Sequence, residues 1–210
     1  MLKISDLTVA RLRNGDFEID LPEFYELRSV IENNGWHDND STFNHTLTTF
    51  EQLEKILAGV NPAVVAYLAQ RVGGHTRREL LFLATLFHDI GKKETRISEG
   101  DLSRFPGHEK AGALKVRSIL QRLGLAAVEQ DFVCEIIRRH DEIHQLLADP
   151  QDSQLPAKLE AFSKNGLFLE LVLLAMADTF GCQLDRKDPE NFRFRIATYW
   201  KVLEAYTGQG

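Results

Sequence analysis

Beyond residue 21, apolar side chains recur at intervals of three and four, the period of a helix with one buried face. The breaks between these runs carry helix-start signals. Pro22 suits the first turn of a helix over EFYELRSVIEN, Ser41 can cap the segment that contains His45, and Asn61-Pro62 reads as an N-cap followed by a first-turn proline. Asp188-Pro189 repeats that pairing and opens the last helix. Thr76-Arg77-Arg78-Glu79 has the spacing of a capping box, in which the Thr hydroxyl and the Glu carboxylate each accept the other's backbone N–H. The apolar run LLFLATLF follows and leads into His88-Asp89-Ile90-Gly91, where Gly91 is expected to end the helix. A loop rich in Gly and charge then reaches Phe105-Pro106-Gly107, and His108 begins a helix that ends near Gly124. The next helix runs from about Ala126 to His140, with Phe132, Val133, Ile136 and Ile137 as its apolar stripe.

The first 21 residues read differently. Ala10 and Leu12 precede Asn14-Gly15, and Phe17, Ile19 and Leu21 alternate after it, which suggests a short β-hairpin. The pattern as a whole predicts an all-α bundle of about eight or nine helices. Residues 1–21 form an N-terminal extension with the hairpin, and residues 22–210 form one domain, since no repeat or flexible linker divides them.

Composition narrows the function classes. Apolar residues at 43% and charged residues at 27% belong to a folded soluble chain. The longest apolar run, Leu167 to Ala177, is interrupted by Glu170 and stops at Asp178, and MLKISDLTVA lacks the apolar stretch of a signal peptide. Cytoplasmic residence without a membrane partner is therefore expected. The net charge of -6 opposes broad binding to polyanions, so duplex DNA is excluded as a partner, while a small phosphorylated substrate or an RNA end is compatible. Cys134 and Cys182 lie in apolar stretches and form no CxxC pair, so they read as buried thiols.

Several histidines and acids change this picture. His88 and Asp89 stand side by side at the end of an apolar helix, about 100° apart, so both can reach one cation in a cleft. Leu171 and Leu174 lie seven and four residues before Asp178 and place that carboxylate on an inward face, where it needs a cation or strong hydrogen bonds. His45 borders the apolar face of its helix, His108 starts a helix, and His140 continues the stripe from Val133 and Ile136. Singly, each is more often a satisfied structural histidine than a ligand.

His45, then Phe87-His88-Asp89-Ile90-Gly91-Lys92, then Ala177-Asp178 resembles the H...HD...D signature of the HD superfamily of phosphohydrolases, over about two thirds of the chain. HDIGKKETR followed by FPGHEKAGA is similar to the HD domain attached to bacterial CCA-adding tRNA nucleotidyltransferases, although no nucleotidyltransferase motif is visible, so a hydrolase module standing alone is expected. The resemblance implies an HD-type helical bundle and a first divalent metal held by His45, His88, Asp89 and Asp178. It places His108 and His140 where binuclear HD enzymes, including the HD-GYP group, supply ligands to a second metal, bridged by Asp89. The GYP portion is missing after Arg139-His140-Asp141, and the Glu-Asp pair of guanosine tetraphosphate hydrolases is not evident.

Ligand type leaves Mn, Fe, Zn, Ni and Mg open, with one or two ions per chain. Asp89 and Lys92 are the residues expected to take part in catalysis, and Lys92, Arg96 and Arg104 are candidates for substrate phosphate; for Lys92 the competing reading is a surface lysine. Asp141 is either a further ligand or a solvated acid, Glu109 reads as a first-turn helix acid, and His37, His75 and His144 receive no role. The expected reaction is hydrolysis of a phosphomonoester or phosphodiester of a nucleotide or RNA end, with a 2',3'-cyclic phosphate implied by the tRNA-enzyme resemblance. Two alternatives stay open: a catalytically silent HD-fold module that binds a nucleotide or RNA, and a structural helical protein with a buried polar network.

Overall fold

A computed structural model describes residues 2–208. After a short 3-10 turn at Ile4–Asp6, the elements are α1 (Val9–Asn14), α2 (Pro22–Tyr25), a 3-10 turn at Glu26–Ser29, β1 (Ile31–Glu32) and β2 (Asp40–Ser41). Then come α3 (Thr42–Leu57), α4 (Pro62–Leu68), β3 (Arg71–Val72), β4 (His75–Thr76), α5 (Arg77–Phe87), α6 (Lys92–Thr95), β5 (Ile97–Glu99) and β6 (Leu102–Arg104). The rest is helical: α7 (His108–Arg122), α8 (Ala127–Arg139), α9 (Asp141–Leu146), α10 (Leu155–Ser163), α11 (Phe168–Gly181), α12 (Leu184–Lys187) and α13 (Pro189–Ala205). Among the described residues the fold is all-α apart from three two-stranded antiparallel hairpins, β1–β2, β3–β4 and β5–β6.

The expected caps form. Ser41 accepts from Asn44 N–H at 3.2 Å, Asn61 from Val64 N–H at 3.0 Å and Asp188 from Asn191 N–H at 3.2 Å. In the Thr76–Glu79 capping box both halves are made, with the Glu79 carboxylate 2.7 Å from Thr76 N. Each satisfies backbone donors that a helix start leaves without partners.

The N-terminal hairpin does not form. Asn14-Gly15 instead closes helix α1, which Thr8 caps at its start; Gly15 adopts φ +87, and its N–H returns to carbonyls of the last turn. An Asn-Gly pair serves a tight hairpin or a left-handed helix end equally well, because both need a positive φ at glycine. The alternation after it is not a strand either: Phe17 and Leu21 turn inward four residues apart, while Ile19 is 95% exposed. Leu12, Phe17 and Leu21 join the same hydrophobic core as the remaining helices.

Helix α11 runs through the middle of the bundle and packs on α3 and α13; α5 packs on α3 and α8, and α7 on α8. Residues Leu169 to Ala177 are all buried, Glu170 included, as expected for a helix enclosed on every side. Its apolar length is used for core packing, and among the described residues no helix is long and apolar enough to cross a membrane. Gly91 does not end α5 as a left-handed residue. The helix stops at Phe87, and Gly91 has φ -82 in a turn that leads into α6. Its requirement is space: a Cβ there would overlap the His108 carbonyl oxygen and lie 2.5 Å from Gly112 N. The backbone of α7 thus rests directly on the His88–Gly91 turn.

Candidate functional site

The ends of α3, α5, α8 and α11 meet at one point, and the histidines and acids singled out from the sequence meet there with them. His45 on α3 places Nε2 2.8 Å from Asp178 Oδ1 and 3.5 Å from Asp89 Oδ2. His88 Nε2 lies 3.1 Å from Asp89 Oδ2 and 3.7 Å from Asp178 Oδ1. On the other side of Asp89, Oδ1 is 3.3 Å from His108 Nε2 and 3.8 Å from His140 Nε2. Among the described residues the donor atoms include two compact groups at this point, His45–His88–Asp178 and Asp89–His108–His140, with Asp89 reaching into both, and a third, His108–Glu109–Asp141, overlaps the second at His108.

Local structure aims the imidazoles. Nδ1 of His88 donates to the Thr85 carbonyl at 2.8 Å, Nδ1 of His140 to the Ile137 carbonyl at 2.7 Å and Nδ1 of His108 to the Phe105 carbonyl at 3.0 Å. In each case the acceptor is three residues earlier, at a helix end or the turn before a helix, where a carbonyl is free to accept. A carbonyl cannot donate, so Nδ1 carries the proton and Nε2 is left facing the cluster. His108 Nε2 and His140 Nε2 face each other at 3.1 Å.

Electrostatics follow from burial and from the two carboxylates. Burial alone would lower His88, but Asp89 and then Asp178 outweigh it and raise its pKa to about 10. Burial dominates at His140, and although Asp141 opposes it, His108 and His88 add to it, giving a pKa of about 4. Asp178 and Asp89 are held well below the ordinary carboxyl range: burial opposes ionisation, but the imidazoles of His144, His45 and His88 facing the carboxylate outweigh it at Asp178, as the charges of His88 and Lys92 do at Asp89.

Lys92 is not on the surface. It is buried with Nζ 2.7 Å from Asp89 Oδ2 and 2.8 Å from Glu32 Oε2, so two carboxylates already hold its ammonium. Arg104 is exposed at the cleft rim, 3.1 Å from Glu99, whereas Arg96 is exposed and does not line the cleft. Asp141 lies 3.5 Å from His140 Nε2 and 3.8 Å from His108 Nε2, and Glu109 sits in the first turn of α7, 3.6 Å from His108 Nδ1.

Three residues the sequence reading passed over stand in the same place. His144 Nε2 is 2.9 Å from Asp178 Oδ2, and its spacing of four from His140 was the available signal, since such residues share a helix face. Glu32 is fully buried, accepts from Thr42 Oγ1 at 2.7 Å and holds Lys92; a two-residue strand gives no periodicity that could have revealed it. His37 lies 3.6 Å from Glu32, with its ring centroid 4.6 Å from that of His45. The cluster opens on a cleft of about 610 Å³ whose walls include Trp36, Phe105, His144 and Arg195.

The donor set fits a divalent cation. His45 Nε2, His88 Nε2 and His144 Nε2 are buried without a well-directed hydrogen bond, and such atoms are costly to leave unsatisfied. Imidazole nitrogens and carboxylate oxygens suit borderline and hard divalent ions.

The model of the HD domain family matches residues 42–180. That interval contains both groups of donors, while Glu32 and Arg195 lie outside it. The chain is 26% identical over 169 residues to the multifunctional CCA protein of Pasteurella multocida, an alignment covering 80% of this chain and 36% of that protein. It is 30% identical over 166 residues to the A-adding tRNA nucleotidyltransferase of Deinococcus radiodurans, covering 78% and 32%. To the bifunctional uridylyltransferase/uridylyl-removing enzyme of Bordetella pertussis it is 26% identical over 165 residues, covering 77% and 18%. The chain thus spans about a third of the tRNA-enzyme relatives and less than a fifth of the uridylyl-removing one.

Proposed function

Because the chain belongs to the HD domain family, we propose that it is a metal-dependent phosphohydrolase acting on a phosphomonoester or phosphodiester of a nucleotide or an RNA end. The observation that carries this reading is the convergence of two His and Asp groups on Asp89, with inward nitrogens fixed by backbone carbonyls. In this reading His45, His88, Asp89 and Asp178 would hold the first ion, and His108 and His140, with Asp89, would hold a second. A divalent ion there supplies Lewis acidity toward the phosphoryl group and lowers the pKa of water near it.

The chain's own groups then have separate tasks. Lys92, itself held by Glu32, fixes the Asp89 carboxylate through Oδ2, the oxygen that also faces His45 and His88. Asp141, a third exposed beside His108 and His140, stands where it can accept a proton or orient a water. Arg104 at the rim offers a cation to an arriving anionic substrate. The tRNA-enzyme and uridylyl-removing relatives favour a nucleotide or RNA-end substrate, with a 2',3'-cyclic phosphate as one member of that class.

The test is a screen of aryl phosphates, nucleoside monophosphates and cyclic nucleotides with Mn, Zn, Ni, Fe or Mg added back after chelation. Metal-dependent turnover that disappears in Asp89→Asn is expected; turnover that survives both chelation and that substitution would refute the reading.

A further inference from the structure

Three cations line the cleft, and their partners differ. Lys92 is neutralised by Asp89 and Glu32, and Arg104 pairs with Glu99. Arg195, on α13, is only 3% exposed, yet among the described residues it has no carboxylate within ion-pair distance. A guanidinium stays charged at any physiological pH, and a buried charge without a counterion is costly.

What Arg195 does touch orients it. Nε donates to Asn191 Oδ1 at 2.7 Å, and Nη1 donates to the His144 carbonyl at 3.2 Å with His144 Nδ1 at 3.4 Å. The guanidinium lies over the Trp36 ring, 4.9 Å from its centroid. The Tyr199 hydroxyl, one turn further along α13, is a further hydrogen-bond neighbour of the guanidinium, and the side chain lines the cleft. Trp36 in turn is fixed: its carbonyl accepts from Gln183 N–H at 2.9 Å, and Lys187 Nζ binds the carbonyls of Asn34 and His37 on either side of it. The wall is therefore built before any ligand arrives.

We propose that Arg195 is a second anion subsite, so that the substrate carries a second phosphate in addition to the phosphoester that the His and Asp cluster would take with its metal. The inference rests on the reading of the cleft as a phosphoester site. Its spacing comes from His144, whose Nδ1 edge meets Arg195 and whose Nε2 meets Asp178 Oδ2 at 2.9 Å. The Arg195 guanidinium and the Asp178 carboxylate thus stand at opposite edges of the His144 ring, set apart by that ring plus a hydrogen-bond-length contact on each side, a separation that one phosphate cannot bridge and a bisphosphorylated nucleoside can. Trp36 supplies a flat apolar surface beside the path between them.

The experiment is calorimetric titration of the full chain, with and without Mn, using adenosine 5'-monophosphate and adenosine 3',5'-bisphosphate. Wild type is expected to bind the bisphosphate about ten-fold or more tightly than the monophosphate, the scale of one hydrogen bond to a charged group. Arg195→Gln should bring that ratio close to one. Arg195→Lys, which keeps the charge without the fork, should leave part of it, and circular dichroism checks that both variants fold. A ratio near one in wild type, no binding of either nucleotide, or a full ratio in either folded variant overturns the proposal. Hydrolysis is scored separately: a preserved preference without turnover counts against the reaction proposed above and leaves the subsite standing.

Discussion

Replacing Gly91 by Ala tests how the fold carries the site. A Cβ at this position would lie 2.5 Å from Gly112 N and 3.0 Å from Gly112 Cα, and both obstacles are backbone, which no rotamer change can remove. To restore an ordinary contact of 3.4 Å, the start of α7 must retreat from the His88–Gly91 turn by at least about 0.9 Å at Gly112 N, and by more at the His108 carbonyl oxygen, which lies nearer still. Forcing atoms into a packed interface costs about 1–3 kcal/mol, and a clash with rigid backbone belongs at the upper end of that range. The same shift separates His108 from Asp89, now 3.3 Å apart, and so loosens the Asp89–His108–His140 group more than the His45–His88–Asp178 group. Urea unfolding of the metal-free chain should show a midpoint lowered by the equivalent of about 3 kcal/mol at unchanged slope, and titration with Mn should show one class of sites weakened selectively. A Gly91→Ala chain within about 0.5 kcal/mol of wild type and with unaltered metal binding would refute the close-packing argument.

Other substitutions probe separate parts of the structure. Glu129 ties α8 to the β3–β4 hairpin by accepting from Ala126 N–H at 2.7 Å, His75 N–H at 2.9 Å and His75 Nδ1 at 2.8 Å. Burial opposes its ionisation, but these bonds outweigh it and hold the carboxyl below its ordinary 4.5, so its stabilising effect is full above that value and fades as pH falls through the lowered one. Glu129→Gln should therefore cost about 1–2 kcal/mol at pH 7, with the gap to wild type closing in acid; a gap that widens there contradicts the assignment. Arg77 Nε lies 2.6 Å from Glu170 Oε1, and Glu170 is fully buried, so Arg77→Leu should cost about 3–5 kcal/mol by thermal or urea melting. Loss of less than about 1 kcal/mol would show that water reaches Glu170. His140→Ala should lower the metal bound by a binuclear chain from two ions to one; unchanged stoichiometry would make His140 structural.

The helix starts were legible because a cap is a local event. Ser41, Asn61, Thr76 and Asp188 each bond a backbone N–H three residues ahead, so sequence spacing alone identifies them. Asn14-Gly15 was ambiguous in the same local window, since a positive φ ends a helix as readily as it turns a hairpin; Thr8, capping six residues before Asn14, decided it. Periodicity turned Asp178 and His140 inward one helix at a time, but the convergence of His45, His88, Asp89, His108, His140 and Asp178 was suggested by resemblance, for they come from five separate places along the chain. Glu32 and Arg195 were invisible for the complementary reason. One lies in a two-residue strand, the other among the many charges of α13, and only tertiary packing brings both to the cleft.

The central claim is that buried imidazoles and carboxylates from α3, the α5 turn, α7, α8 and α11 share a cation. Equilibrium dialysis of the chelated full chain against Mn, followed by elemental analysis, tests it without reference to any substrate. At least one tightly held ion per chain, absent from Asp89→Asn, is the predicted result. A folded wild-type chain that retains no ion of the first-row divalent series would contradict it.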